Sequence, residues 1–173
     1  RDPVVSYLVD TNVISELTRP KPAASVATWF EEVADEALHL SVLTLGELRR
    51  GVEKLPAGRR KERLRDWLAH DVPAWFGDHL LPIDAGVAET WGRLQASAKR
   101  TLPAVDSLLA ATALHHHLRL VTRNTADFEI VGLETINPWS MGSAETVRCI
   151  VHAEAVPTSV GITSWTTPRA PTN

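Results

Sequence analysis

Tyr7-Leu8-Val9-Asp10-Thr11-Asn12-Val13-Ile14-Ser15-Glu16 is the stretch on which the fold turns. The apolar run over residues 4–9 is short and rich in Val, Tyr and Leu, which reads as a buried strand. It stops at Asp10. Thr11 and Asn12 then supply short polar side chains that can bond free backbone N–H groups, so a turn and a helix cap follow. A carboxylate therefore stands where a strand ends and a helix begins. In open α/β sheets that edge is the crevice where ligands bind. The other acids of the chain are expected to converge on Asp10.

Outward from that stretch, apolar runs alternate with amphipathic segments. Residues 12–17 read as a short helix closed off by Pro20 and Pro22. Residues 23–33 read as a second, with Val26, Trp29, Phe30 and Val33 at helical spacing. Residues 38–43 read as a strand interrupted by His39 and Ser41, and Thr44 opens a helix through Val52. Residues 59–75 form a charged helix or helix pair with Leu64, Trp67 and Leu68 as its stripe and Pro73 interrupting its far end. After a short strand over 80–83, Asp84 caps a helix over 87–98. Pro103 precedes a further helix whose stripe is Val105, Leu108, Leu109, Thr112 and Ala113. Residues 118–121 are the next strand, with Thr122-Arg123-Asn124 just beyond it. Residues 128–131 and 134–136 are candidates for edge structure. Strands separated by helices imply a mostly parallel sheet covered by helices on both faces.

A chain of 173 residues is one ordinary domain with room for a core, and a hydrophobic share of 44% excludes a disordered polymer. The net charge of −3 provides no global positive field, so a polyanion has to meet a local basic patch or bound cations. Cys149 is the lone cysteine, which excludes an internal disulfide and suits a reducing compartment. No apolar run is long enough to cross a bilayer, and Arg1-Asp2-Pro3 does not open a signal peptide's apolar segment. A cytoplasmic location is expected. Past Trp139 the chain becomes rich in Pro, Ser and Thr, and residues 140–173 read as a poorly ordered extension.

Each acid near a strand end has a plain structural reading. Asp10 can be a helix cap. Thr44-x-x-Glu47 spells a capping box, in which Glu47 reaches back to the Thr44 N–H. Asp106 lies in a helix's first turn, where the macrodipole favours an anion. Its apolar neighbours Val105, Leu108 and Leu109 nevertheless bury it, and a buried carboxylate needs a partner. Asn124 and Asp127 suit turn chemistry. Gathered together, however, such acids repel one another unless cations intervene. Hard cations such as Mg²⁺ take oxygen ligands and keep several waters, and they can neutralise charge on a phosphodiester.

The segments Leu8-Val9-Asp10-Thr11-Asn12, Leu43-Thr44-Leu45-Gly46-Glu47-Leu48, Ala104-Val105-Asp106-Ser107-Leu108-Leu109-Ala110 and Leu120-Val121-Thr122-Arg123-Asn124 resemble, in order and spacing, the four acidic motifs of PIN domains. The run from Asp10 to Glu16 and the closing Asn137-Pro138-Trp139 resemble the VapC/FitB-like toxins in particular. The resemblance covers about residues 5–139, and residues 4–139 are taken as the domain. It implies a three-layer α/β/α fold around a mostly parallel sheet of four to five strands. It also implies an endoribonuclease dependent on Mg²⁺ or Mn²⁺, acting as a homodimer or as a toxin–antitoxin hetero-oligomer with a cognate antitoxin. By position, Asp10, Glu47 and Asp106 would be catalytic metal ligands, with Thr11, Asn12 and Thr122 orienting them. The fourth acidic position falls at Asn124, an amide, which leaves Asn124 or Asp127 as a further ligand.

Other features compete for attention. The run Gly58-Arg59-Arg60-Lys61-Glu62-Arg63-Leu64-Arg65 reads first as a solvated helix face. Arg49, Arg50 and Arg123 are better placed to meet RNA phosphate. His115-His116-His117 cannot converge on one ion, because consecutive helical positions point about 100° apart. A helix C-terminus accounts for them. Trp29, Trp67, Trp75 and Trp91 read as core or subunit contacts. Two other functions remain open: a catalytically weak protein of this fold that binds RNA or a partner, and an α/β phosphohydrolase with Asp10 as nucleophile.

Overall fold

The computed structural model describes residues 5–99, 101–130 and 132–141. Five strands form one sheet: β1 (Tyr7–Val9), β2 (Leu38–Ser41), β3 (Leu80–Leu81), β4 (Arg119–Val121) and β5 (Thr135–Ile136). Their spatial order is β3-β2-β1-β4-β5, and every pairing is parallel. The chain moves from β1 to one side and later crosses to the other, so the strand order reverses at β1 and β4. That reversal opens a crevice beyond the carboxyl ends of these two strands.

Alternate residues of the sheet feed two cores. Tyr7, Val9, Leu38, Leu40 and Val121 face a layer that includes α1 (Thr11–Leu17), α2 (Ala24–Glu32), α3 (Val42–Glu53) and α5 (Val72–Phe76). Leu8, Leu81 and Leu120 face α7 (Ala104–His115), which packs beside α6 (Ala85–Ser97). Strands buried on both faces show why these runs are apolar without alternation. Trp29 is fully buried and meets Tyr7 edge-on at 5.3 Å. Among the described residues no helix is long and apolar enough to cross a membrane.

Several local expectations shift. The segment over 38–43 divides at Ser41, whose hydroxyl accepts from Leu43 N at 3.1 Å and caps α3. The helix therefore starts before Thr44, and the capping box does not form. Thr44 is buried in the first turn with its hydroxyl unpaired. The charged helix α4 (Arg59–Asp66) runs through a π-helical segment (Trp67–Asp71) into α5. Pro73 lacks the N–H that would bond one turn back, and the widened turn just before it absorbs that loss. Helix α7 is rotated from its expected stripe. It buries Ser107, Leu109, Ala110, Ala111, Thr112 and Ala113 and leaves Val105 38% exposed. The small alanines let α7 approach the sheet, while the buried Ser107 hydroxyl accepts from Trp91 Nε1 and Gln95 Nε2. Residues 125–128 form a 3₁₀ turn, and only 135–136 join the sheet edge. Cys149 and the extension past residue 141 lie outside the described residues.

Candidate active site at the carboxyl edge of the sheet

Asp10 ends β1 with extended backbone and caps α1, its Oδ1 accepting from Thr11 N at 2.6 Å. Its other oxygen is held more firmly. Oδ2 accepts from Thr122 Oγ1 at 2.7 Å and from Asn12 Nδ2 at 2.9 Å. Asn12 Nδ2 also lies 3.1 Å from Thr122 Oγ1, which accepts from Asn124 N at 3.1 Å. The β1–β4 register that pairs Val9 with Val121 sets Asp10 beside Thr122. The helix cap and the strand pairing thus fix one carboxylate, which is 8% exposed.

Glu47 lies on the second turn of α3. Its Oε2 accepts from Thr11 Oγ1 at 2.6 Å, so the residue beside Asp10 also holds the second acid. Freed from any capping box, Glu47 points to the crevice, and Arg50 follows it one turn on at 3.6 Å. Asp106 stands in the first turn of α7, half-buried. Burial raises its pKa above the ordinary carboxylate value, and the charges of Asp127 and then Glu47 raise it further. Burial raises the Asp10 pKa as well. The bonds from Thr122 and Thr11 oppose that shift, and Glu47 and Asp106 add to it. Asp10, Glu47 and Asp106 therefore feel one another's charge, and Asp127 joins through Asp106.

This donor set fits a hard divalent cation. It is made of carboxylate oxygens backed by hydroxyls and an amide. Among the described residues no cation pairs with Asp10 or Asp106, and Arg50 alone meets Glu47. Buried carboxylates left without a counter-charge are costly. No three such side chains converge tightly enough to chelate an ion unaided among the described residues. Any ion bound here would have to complete its shell with water, as Mg²⁺ commonly does. Asn124 is exposed; its N–H bonds Thr122, and Asp127 sits on the 3₁₀ turn that follows.

The basic candidates separate. Arg50 is beside the acids, whereas Arg49 turns to Glu53 at 3.8 Å, and Lys61 and Arg65 of α4 join Glu53 as well. Arg123 donates its backbone N–H to Asn12 Oδ1 at 3.1 Å, and its guanidinium lies 5.4 Å from the Trp139 ring centroid. The histidine run is far from this chemistry. His116 is the C-cap of α7, and His117 follows with a positive φ of 56°. Two roles escaped the sequence reading: Ser41, read as an interruption of a strand, caps α3, and Trp139, read only as part of the closing motif, lies under Arg123.

A PIN-domain family profile matches residues 7–132. The chain is 37% identical over 135 residues to the VapC ribonuclease Y4jK of Sinorhizobium fredii, covering 76% of this chain and 96% of that protein. It is also 37% identical to toxin FitB of Neisseria gonorrhoeae, over 76% of this chain and 97% of the toxin. Among solved structures, FitAcB from Neisseria gonorrhoeae superposes with a TM-score of 0.73 at 36% identity, over 78% of this chain and 99% of that chain. FitAB bound to an IR36 DNA fragment gives 0.72 at 32% identity, over 79% and 97%.

Proposed function

The chain belongs to the PIN-domain family, in its VapC/FitB branch, and on that premise we propose that it is a Mg²⁺- or Mn²⁺-dependent endoribonuclease, the toxin of a toxin–antitoxin pair. The observation that carries the metal-dependent part is the group of mutually repelling acids at the strand-order reversal, in which Asp10 and Asp106 have no cationic partner among the described residues. Asp10, Glu47 and Asp106 would hold the ion, with Asp127 as a further oxygen donor in place of the amide at Asn124. Bound there, the ion supplies Lewis-acid polarisation of the phosphodiester and screening of the charge that builds on its oxygens.

The protein's own residues do the positioning. Thr122 and Asn12 fix Oδ2 of Asp10, and Thr11 N takes one lone-pair site on Oδ1, which leaves the second site of Oδ1 for a ligand. A carboxylate has about four such sites. Thr11 sets the Glu47 rotamer through its hydroxyl. Arg50, mostly exposed and only 3.6 Å from Glu47, is free to swing to a substrate phosphate. The partners proposed are RNA as substrate, a cognate antitoxin and a second copy of the chain. One observation favours weaker catalysis: the neutral Asn124 at the fourth acidic position lowers the negative charge available for a second ion.

The test is cleavage of a single-stranded RNA by the purified chain with millimolar Mg²⁺, with Mn²⁺ and with EDTA. Cleavage restricted to the metal-containing samples is expected. Tight RNA binding without cutting in Mg²⁺ would overturn the nuclease reading in favour of a binding protein.

A further inference from the structure

Among the described residues six arginines have a glutamate partner, and Arg59, Arg60, Arg63 and Arg123 have none; of these four, Arg123 alone lies beside the acids. Arg19, Arg49, Arg50, Arg65, Arg93 and Arg119 each pair with a glutamate. Arg123 is exposed and has no carboxylate partner among the described residues. Its guanidinium lies over the indole of Trp139 instead, 5.4 Å from the ring centroid. The support beneath is built. Arg123 N donates to Asn12 Oδ1 at 3.1 Å, and Asn137 Nδ2 donates to the Arg123 carbonyl at 3.3 Å. Trp139 N donates to Asn137 Oδ1 at 3.0 Å, and the indole is partly buried against the core. Arg123, with its guanidinium over the Trp139 ring, thus stands one residue from Thr122, whose hydroxyl bonds Asp10.

An exposed cation on a ring adds little to stability, so stability does not explain this support. Exposed and without a carboxylate partner among the described residues, Arg123 keeps its planar guanidinium and forked N–H groups available to a ligand. Unpaired bases stack on guanidinium planes and aromatic rings, and phosphate oxygens accept forked N–H groups. We propose that Arg123 seated on Trp139 grips the nucleotide next to the scissile phosphate, stacking on its unpaired base and so selecting single-stranded over duplex RNA. The inference rests on the ribonuclease reading above. Side-chain changes at Arg123 leave its backbone bonds to Asn12 and Asn137 in place, so the acids keep their support.

The experiment measures kcat and KM on a fluorophore–quencher oligoribonucleotide of mixed sequence, presented alone or annealed to its complement. Binding is followed by anisotropy in EDTA. Arg123→Ala is expected to raise KM and Kd for the single strand about tenfold, the scale of one lost stacked base, with kcat little changed. Arg123→Lys keeps the charge without the plane and should recover only part of that loss. Trp139→Leu should act in the same direction, with its melting temperature checked because the ring packs on the core. Three results overturn the proposal: an unchanged KM in Arg123→Ala, full rescue by Arg123→Lys, or equal cutting of duplex and single strand by the wild type. Loss of a protein partner's binding with RNA affinity intact would likewise reassign the pair to a protein interface. If the wild type cuts no RNA in Mg²⁺, the ribonuclease reading itself has failed; if it cuts and the Arg123 variants match it, this inference alone has.

Discussion

Helix α7 carries an acid in its first turn and histidines at its end, and the two ends handle charge in opposite ways. Both placements suit the macrodipole, and at both ends burial works against the charged form. Burial pushes the His116 pKa down, with His115 adding to the shift. It does the same to His39, which stacks on His79 with ring centroids 4.4 Å apart. An imidazole meets that pressure by shedding a proton near neutrality, and it still accepts or donates a hydrogen bond. His39 and His79 each place Nδ1 near a backbone carbonyl. Carboxylates have no such exit. At neutral pH Asp10 and Asp106 would have to climb several pKa units to become neutral, at about 1.4 kcal/mol each. The histidine end can thus relieve burial by losing a proton, whereas the acid end keeps its charge, which is where the proposed cation would act.

The largest effect that separates the two ends is on catalysis. Asp10→Asn, Glu47→Gln and Asp106→Asn should each lower RNA cleavage on the order of a thousandfold, since several kcal/mol of charge stabilisation go with the ion. In EDTA Glu47→Gln and Asp106→Asn should melt no lower than the wild type, because each removes repulsion and retains a hydrogen-bonding side chain, whereas Asp10→Asn sets an amide donor against the donors that hold Asp10 and gains less. A melting temperature several degrees lower in all three would make the acids structural and end the contrast.

Ion binding should come next in size. Mn²⁺ at about a hundred times its dissociation constant stabilises the folded chain by about 2.7 kcal/mol, which is a rise of roughly 5–10 °C for a domain of this size. Asp10→Asn should lose that rise in a thermal melt, and His116→Asn should keep it. The reverse pattern would place the ion at the wrong end of α7.

The pH dependence has opposite signs at the two ends. His39 and His116 have folded pKa values below the ordinary 6.5, so the stability linked to them is full above that value. It is lost as the pH falls through the depressed folded values. Asp10 and Asp106 have folded values above the ordinary 3.8, so their cost is full at neutral pH. That cost shrinks as the pH falls through those raised values. Urea unfolding in EDTA between about pH 7.5 and about pH 5.5 reads mainly the histidine term. His39→Gln should flatten the decline; an unchanged slope would show that the His39–His79 stack carries no linkage.

Legibility in the sequence follows the same division. Asp10 and Asp84 are readable because a carboxylate at the start of an amphipathic run has one local job, and both do cap helices. Glu47 misleads because a capping box and a site acid look alike until the true cap is known. Ser41 is that cap, and the apolar Val42 and Leu43 after it extend a strand pattern into what is a helix's first turn. Val42 is 38% exposed, which a strand reading does not anticipate. The rotation of α7 depends on how closely its alanines approach the sheet, and periodicity carries no such information. The link from Asp127 to Asp106, and the stack of His39 on His79, come from tertiary contact between distant segments.

The smallest test concerns the very end of α7. His117 N donates to the Leu114 carbonyl at 3.3 Å and Leu118 N to the Ala113 carbonyl at 2.8 Å, the paired bonds of a Schellman motif. The residue at the left-handed position is His117, with φ at 56°, where glycine is the usual occupant. A side chain there carries a backbone penalty that glycine avoids. His117→Gly is exposed to no substrate-facing group and should stabilise the fold by about 0.5–1 kcal/mol, with cleavage unchanged. A loss of activity or of the Mn²⁺ shift in that variant would mean that the histidine end communicates with the acids along α7. The separation between an end that sheds protons and an end proposed to take a metal would then have to be redrawn as one coupled helix.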